Sequence, residues 1–132
     1  MLLTHPSSLL HPSTGCFVNS VIIVTAYDSM PLDAVLHTVT ETMSVAIFTE
    51  ISLANVASQL VRRAPKGQVR AVIYSGHEAE SPDEIKQLLA GQEELGYKAV
   101  HIEELKSRDI DQSALRGMVE PKTGDTACIM YT

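Results

Sequence analysis

The chain alternates between short apolar runs and longer segments in which apolar and polar residues are mixed. Five runs stand out: VIIV (Val21–Val24), VAIF (Val45–Phe48), AVIY (Ala71–Tyr74), AVHI (Ala99–Ile102) and ACIM (Ala127–Met130). Their starts are separated by 24, 26, 28 and 28 residues. Runs that are almost continuously apolar are typical of strands covered on both faces, as in parallel sheets. The pattern therefore predicts five buried strands at a regular spacing.

The intervals between the first four runs have the 3.6-residue period of amphipathic helices. The apolar stripes consist of Leu32, Val35, Leu36, Val39 and Met43, then Leu53, Val56, Ala57, Leu60 and Val61, then Ile85, Leu88, Leu89 and Leu95. Ser29 and Ser52 are predicted to cap the first two helices. The third is predicted to begin at SPDE, where a capping Ser81 precedes Pro82 and Glu84. Three helices are therefore expected between four strands.

The end of the third helix and the interval that follows complete the predicted architecture. Gly96 is predicted to end that helix, whereas Gly91 inside it weakens the helix by about 1 kcal/mol. Residues 103–126 lack a regular apolar spacing, which favours a short helical turn and a loop. Repeated strand–helix–strand units have right-handed crossovers. The predicted fold class is thus α/β, a parallel sheet of about five strands with flanking helices.

Length and composition limit the classes of protein to which the chain can belong. A chain of 132 residues is about one domain long; residues 1–15 are predicted to be an irregular leader outside the core, and residues 16–132 the domain. A net charge of −6, with 10 Lys and Arg, provides no basic stripe and argues against nucleic acid as a partner. No apolar run approaches the roughly 18 residues that span a bilayer, and no signal-peptide pattern is present.

The two cysteines and the histidines provide no assembled metal site. Cys16 and Cys128 have no CxxC partner, so two reduced thiols are expected, which suits an intracellular compartment. HEAE at 77–80 lacks the second histidine of a zinc motif and is interpreted as a solvated acidic turn. His101 is predicted to be a hydrogen-bonded strand residue, and His37 to be exposed on its helix.

Asp28 is the first residue with candidate chemistry, because it ends the first predicted strand. Ligands of open α/β sheets bind at the carboxyl ends of the strands, although Asp also commonly begins turns. A phosphoryl-receiver domain would fit the length, but Ser75 stands where that class requires an Asp, and no Lys follows the fifth strand. Neither GxGxxG nor GxxxxGK[ST] nor GxSxG occurs. The residues by themselves therefore define no complete active site.

Three segments together resemble the adenylate-forming (AMP-binding) ligases, and among these the long-chain fatty-acid–CoA ligases of fungi. They are VTAYD (Val24–Asp28), AIFTE (Ala46–Glu50) and CIMYT (Cys128–Thr132). In that family a segment similar to CIMYT leads into the glycine-rich loop that surrounds the phosphates of ATP. The resemblance covers about residues 15–132 and is weakest over 75–120.

The resemblance implies an activity, its cofactors and one site residue. ATP and a long-chain fatty acid would form an acyl-adenylate, and coenzyme A would then accept the acyl group as a thioester. ATP and Mg²⁺ are the implied cofactors, and Thr132 matches the residue near the phosphates and the metal; no catalytic residue is carried over. Members of such a family lie in the cytoplasm or peripherally on the endoplasmic reticulum, peroxisomes or lipid droplets.

The chain also departs from the family, since the phosphate loop, the acyl tunnel and the C-terminal domain are absent from the sequence. We therefore expect an internal piece of the large domain, inactive alone and marginally stable, with bare apolar helix faces and a central last strand pointing to an open nucleotide cleft. One alternative is a stand-alone α/β binding or interaction module that uses Asp28, Glu50 and Ser75 at the carboxyl edge of its sheet. Another alternative is that the gene model from which this sequence was translated ends too early.

Overall fold

The structure is a computed structural model that describes residues 1–3, 15–77, 82–109 and 117–131. At residues 2, 3 and 82 it describes only the backbone. Its strands are β1 (Leu2–Leu3), β2 (Ile23–Ala26), β3 (Ala46–Glu50), β4 (Ala71–Ser75), β5 (Lys98–His101) and β6 (Cys128–Met130). They form one sheet in the order β5-β4-β3-β1-β2-β6, in which every described pair is parallel. The predicted α/β class and its parallel sheet are confirmed.

Helices connect the strands as the apolar period predicts. They are α1 (Leu32–Glu41), α2 (Ala54–Arg63), α3 (Pro82–Leu95) and the short α4 (Ile102–Ser107), with a 3₁₀ turn at Ile51–Leu53 before α2. Residues 15–17 are also helical. The short helix expected within residues 103–126 is α4, which begins directly after β5.

One strand was not predicted. Residues 1–15 were expected to be irregular, but Leu2 and Leu3 form β1 between β2 and β3, so the prediction is wrong for these two residues. The amide of Phe48 donates to the carbonyl of Met1 at 2.8 Å, and the amino group of Met1 donates to the carbonyl of Ala46 at 2.6 Å. Backbone hydrogen bonds hold β1, and a stretch of two residues is too short for a hydrophobic period to reveal it.

One face of the sheet carries the core. The largest fully buried apolar side chains come from the sheet and from α1, α2 and α3: Val35, Val39, Ile47, Leu60, Val72 and Leu88. Burial alternates along β3 and β4, so that Ile47 and Val72 are buried whereas Phe48 and Ile73 are only partly so. The expectation of bare helix faces is therefore wrong for most of the three predicted apolar stripes, although Met43 and Leu89 are exposed. Among the described residues, it is the opposite face of the sheet that is only partly covered.

The predicted serine caps are not formed. The residue before α1 is Pro31 and the residue before α2 is Leu53, and neither helix has a side-chain cap hydrogen bond. A turn closed by the amide of Met30 and the carbonyl of Tyr27 leads into α1, and the 3₁₀ turn leads into α2. These turns place Ser29 and Ser52 away from the capping position.

The third helix ends as predicted, and the structure gives a reason for the glycine inside it. Gly96 follows α3 with φ +75°. The hydroxyl of Tyr97 donates to the carbonyl of Leu88, and a Cβ at Gly91 would lie 2.7 Å from that hydroxyl oxygen. Gly91 thus makes room for the buried Tyr97, and burial raises the pKa of this phenol. The predicted cap at Ser81 lies outside the described residues.

Candidate functional site

The carboxyl ends of the parallel strands bring several polar residues to one edge of the sheet. Asp28 follows β2, and Glu50 and Ser75 are the last residues of β3 and β4. The register pairs Glu50 directly with Ser75. The edge predicted from Asp28, Glu50 and Ser75 is therefore present. Thr132, the one residue assigned to phosphates and metal by resemblance, lies outside the described residues.

The last strand differs from its prediction in position. β6 is parallel to β2, but it is an edge strand of the described sheet and not a central one. The hydroxyl of Tyr131, which follows β6, donates to the carboxylate of Glu41, and Nε2 of His37 lies 3.3 Å from that carboxylate. The hydrogen bond to Glu41 raises the pKa of Tyr131. Tyr131 therefore contacts the end of α1 and does not point into a cleft.

The side chains of His37 and His101 behave as predicted, whereas residues 78–80 of the predicted acidic turn lie outside the described residues. His37 is exposed, with 71% of its side chain accessible. Nε2 of His101 lies 2.8 Å from the carbonyl oxygen of Gly76, and its Nδ1 accepts from the amide of Glu103 at 3.2 Å. With Nδ1 as acceptor, the proton is assigned to Nε2. His101 thus links the loop after β4 to the start of α4.

Gly76 is required at that link. Its φ is +123°, and a Cβ there would lie 2.7 Å from Cγ2 of Ile51. A residue with a side chain would therefore be strained and would displace Ile51. The loop that presents Ser75 and His77 at the carboxyl edge is fixed by this close approach and by the hydrogen bond to His101.

An open groove of about 1000 Å³ lies on the sheet face that α1, α2 and α3 do not cover. Its floor consists of Ile23, Ala46, Phe48 and Ile73. One side is formed by residues 15–22 and the other by α4, and Ser75, Gly76, His77 and His101 stand at one end. Sequence reasoning missed this groove, because the apolar strand runs indicated strands covered on both faces.

Among the residues that the structure describes, two polar side-chain atoms on this face of the sheet are buried without a hydrogen-bond partner. They are Oγ1 of Thr25 and Oε1 of Glu50. Thr25 is two residues beyond Ile23, and Glu50 is two residues beyond Phe48, so strand alternation puts both on the face of the groove. Lys106, which lines the groove, has its ammonium group 2.7 Å from the carboxylate of Glu103.

Among the described residues at this edge of the sheet, Asp28 and Glu50 are acidic, and the ammonium group of Lys106 lies 2.7 Å from the carboxylate of Glu103. Within residues 1–3, 15–77, 82–109 and 117–131, no three His, Cys, Asp or Glu side chains are grouped as metal ligands.

The two cysteines lie in different parts of the sheet region. Cys16 borders the groove and Cys128 lies on β6, and both are free thiols. Burial raises the pKa of Cys16.

None of the helices in the described ranges is long and apolar enough to cross a membrane.

In the described part of the chain, the fold and the groove define an α/β protein whose parallel sheet is covered by α1, α2 and α3 on one face and only partly, by residues 15–22 and α4, on the other. Comparisons of the chain with protein-family models, with curated proteins and with solved structures find no match.

Proposed function

We propose that the chain is part of the large domain of an adenylate-forming ligase, nearest in kind to the long-chain fatty-acid–CoA ligases, and that it is inactive alone. One observation supports the kinship: the three segments that carry the resemblance fall on β2, β3 and β6 of a single parallel sheet. The strand that contains CIMYT pairs directly with the strand that contains VTAYD, with Thr25 opposite Met130. Their carboxyl ends therefore emerge side by side.

In this proposal ATP and Mg²⁺ bind at the carboxyl edge of the complete ligase, with Thr132 beside the phosphates, and the partners are a long-chain fatty acid and coenzyme A. The proposed lack of activity follows from the sequence, which contains no glycine-rich phosphate loop. Oriented hydrogen-bond donors contribute about 3–4 kcal/mol each to a transition state. One hydroxyl at Thr132 does not replace them.

The activity is tested by ATP–pyrophosphate exchange in the presence of a long-chain fatty acid, with an intact ligase of that family as the positive control. We expect no exchange that depends on the fatty acid. Exchange catalysed by the chain alone would refute the proposed inactivity.

The kinship is tested separately by the genomic sequence that follows the codon for Thr132. If the chain derives from a ligase, codons for Ser-Gly-Ser-Thr-Gly are expected there, in frame or across an intron. A different continuation would remove the main support for the kinship.

A second candidate function, a stand-alone α/β binding module, is favoured by the groove. A concave, mainly apolar cavity with a few polar groups at one end is the usual form of a small-molecule site, and this groove has about 1000 Å³. Titration calorimetry against nucleotides and acyl-CoA separates the two candidates. Micromolar binding without any exchange activity would favour the module.

A further inference from the structure

We propose that His37, Glu41 and Tyr131 form a binding site for a zinc ion, which fastens the edge strand β6 to α1. The three side chains supply one imidazole nitrogen, one carboxylate and one phenol oxygen. None of them lines the groove, and none carries the resemblance to the ligases beyond the strand that Tyr131 follows. The inference is therefore independent of both candidate functions.

Two of the ligands lie on one side of α1. His37 and Glu41 are four residues apart, a spacing that makes side chains neighbours on a helix. Nε2 of His37 lies 3.3 Å from Oε2 of Glu41. Zinc holds nitrogen and oxygen ligands at roughly 2.0–2.2 Å in a tetrahedral arrangement, which separates two ligand atoms by about 3.3–3.6 Å. The two atoms therefore have the separation at which one ion can bind both.

The third ligand comes from the other end of the chain. The hydroxyl of Tyr131 donates to the same Oε2 of Glu41, and its ring stands edge to face with that of His37, with the centroids 6.5 Å apart. Polar atoms from two distant elements thus meet around one carboxylate oxygen. When the bond between Oη of Tyr131 and the metal forms, the phenol proton that now lies between Oη and Glu41 leaves to the solvent.

The chemistry of these ligands favours zinc over the lighter divalent ions. Imidazole and carboxylate are ordinary zinc ligands, whereas Ca²⁺ and Mg²⁺ are held by oxygen atoms alone. The side chains of His37 and Glu41 are 71% and 55% exposed, so an ion can enter and water can fill the fourth position, as in zinc sites with three protein ligands. Among the described residues, no Lys or Arg pairs with Glu41 and competes for it.

The position of the site gives the ion a structural effect. β6 has three residues and, within the described sheet, pairs with β2 alone. α1 packs on the covered face through Val35 and Val39. An ion bound by α1 and Tyr131 would join the end of this short strand to a helix that is anchored in the core.

The first test is a zinc titration of the full chain at pH 7, followed by ultraviolet difference absorption. Free tyrosines have a pKa of about 10 and keep their protons at this pH, whereas a coordinated phenol loses its proton. We expect a tyrosinate band with the amplitude of one of the four tyrosines. Tyr131→Phe should abolish the band. Tyr27→Phe makes the same change at a partly exposed tyrosine after β2 and should leave it intact.

The second test measures the affinity for zinc by titration calorimetry. His37→Gln and Glu41→Gln should each weaken binding by roughly tenfold or more, because even a residue that only supports a metal ligand is worth about 10–100-fold in affinity. Glu93→Gln is the matched control for Glu41→Gln, since it makes the same chemical change at an exposed site on α3. It should leave the affinity unchanged.

The wild-type titration needs no variant, and circular dichroism checks that each variant is folded. Absence of a tyrosinate band in the wild-type chain would overturn the inference. A band that survives Tyr131→Phe, or an affinity that His37→Gln and Glu41→Gln leave unchanged, would also overturn it. Zinc would then be an adventitious ion only, held by other side chains such as the free thiols.

Discussion

The two faces of the sheet are built from similar apolar strands but have opposite environments. On one face Ile47 and Val72 are fully buried under α1, α2 and α3, and on the other Phe48 and Ile73 form the floor of an open groove. Ile47 and Phe48 are neighbours in sequence and equally apolar. The difference shows that an apolar strand run indicates position in a sheet but not what covers each of its faces.

The largest expected effect contrasts these two neighbours. Ile47→Ala should lower the free energy of unfolding by about 2–5 kcal/mol, because it opens a cavity under the helices. Phe48→Ala should lower it by roughly half as much or less, since part of the ring already contacts solvent in the native state. Urea unfolding of both variants measures the difference. Equal losses would mean that the second face is as closed as the first.

The next effect is a pH dependence at the border of the groove, where Met1 lies. In protein that begins at Met1, burial lowers the pKa of the amino group from 8.0 to about 6. The folded state then binds fewer protons than the unfolded state between these values, so stability rises as the pH increases from 6 to 8. A difference of two pKa units corresponds to about 2.7 kcal/mol.

Urea unfolding across that pH range measures the effect. Protein with an acetylated N-terminus is the matched control, because it has no amine to titrate and should lack this rise. The same pH profile in both forms would mean that the amino group is solvated, and that the open face is wetter at β1 than the structure indicates.

The sequence predicted the secondary structure and the fold class of this molecule better than its candidate site. The apolar runs and helical periods predicted β2 to β6, α1 to α3 and the polar residues at the strand ends, because each depends on local pattern. The first run was placed two residues too early, since β2 begins at Ile23 and both Val21 and Ile22 are exposed. The central position of the last strand was wrong, and β1 was missed, because strand order depends on contacts between distant residues. That Glu50 lacks a partner depends on the side chains around it, which no spacing along the chain reveals.

Gly91→Ala, a substitution on the helix-covered side of the sheet, should have a smaller effect on the free energy of unfolding. The substitution favours the helix by about 1 kcal/mol, but its Cβ would lie 2.7 Å from the hydroxyl oxygen of Tyr97. Overpacking of this kind costs about 1–3 kcal/mol, so a net loss of stability is expected. In a Tyr97→Phe background the loss should shrink, and a double-mutant cycle by thermal unfolding measures this coupling. Strictly additive effects would contradict the close approach.

The smallest expected effect concerns the edge of the sheet, where β6 is joined to the helix-covered side by Tyr131. The carboxylate of Glu41 accepts the hydrogen bond from that phenol and raises its pKa. Glu41→Gln removes the negative charge, so the pKa of Tyr131 should fall toward its ordinary value, with little change in stability because the contact is exposed. Spectrophotometric titration of the tyrosines measures the shift. Asp33→Asn, at the other end of α1, is the control and should leave the titration unchanged. If Glu41→Gln also leaves the titration unchanged, Tyr131 does not contact α1 in solution. In that case β6 is attached less firmly to the helix-covered side of the molecule than the structure indicates.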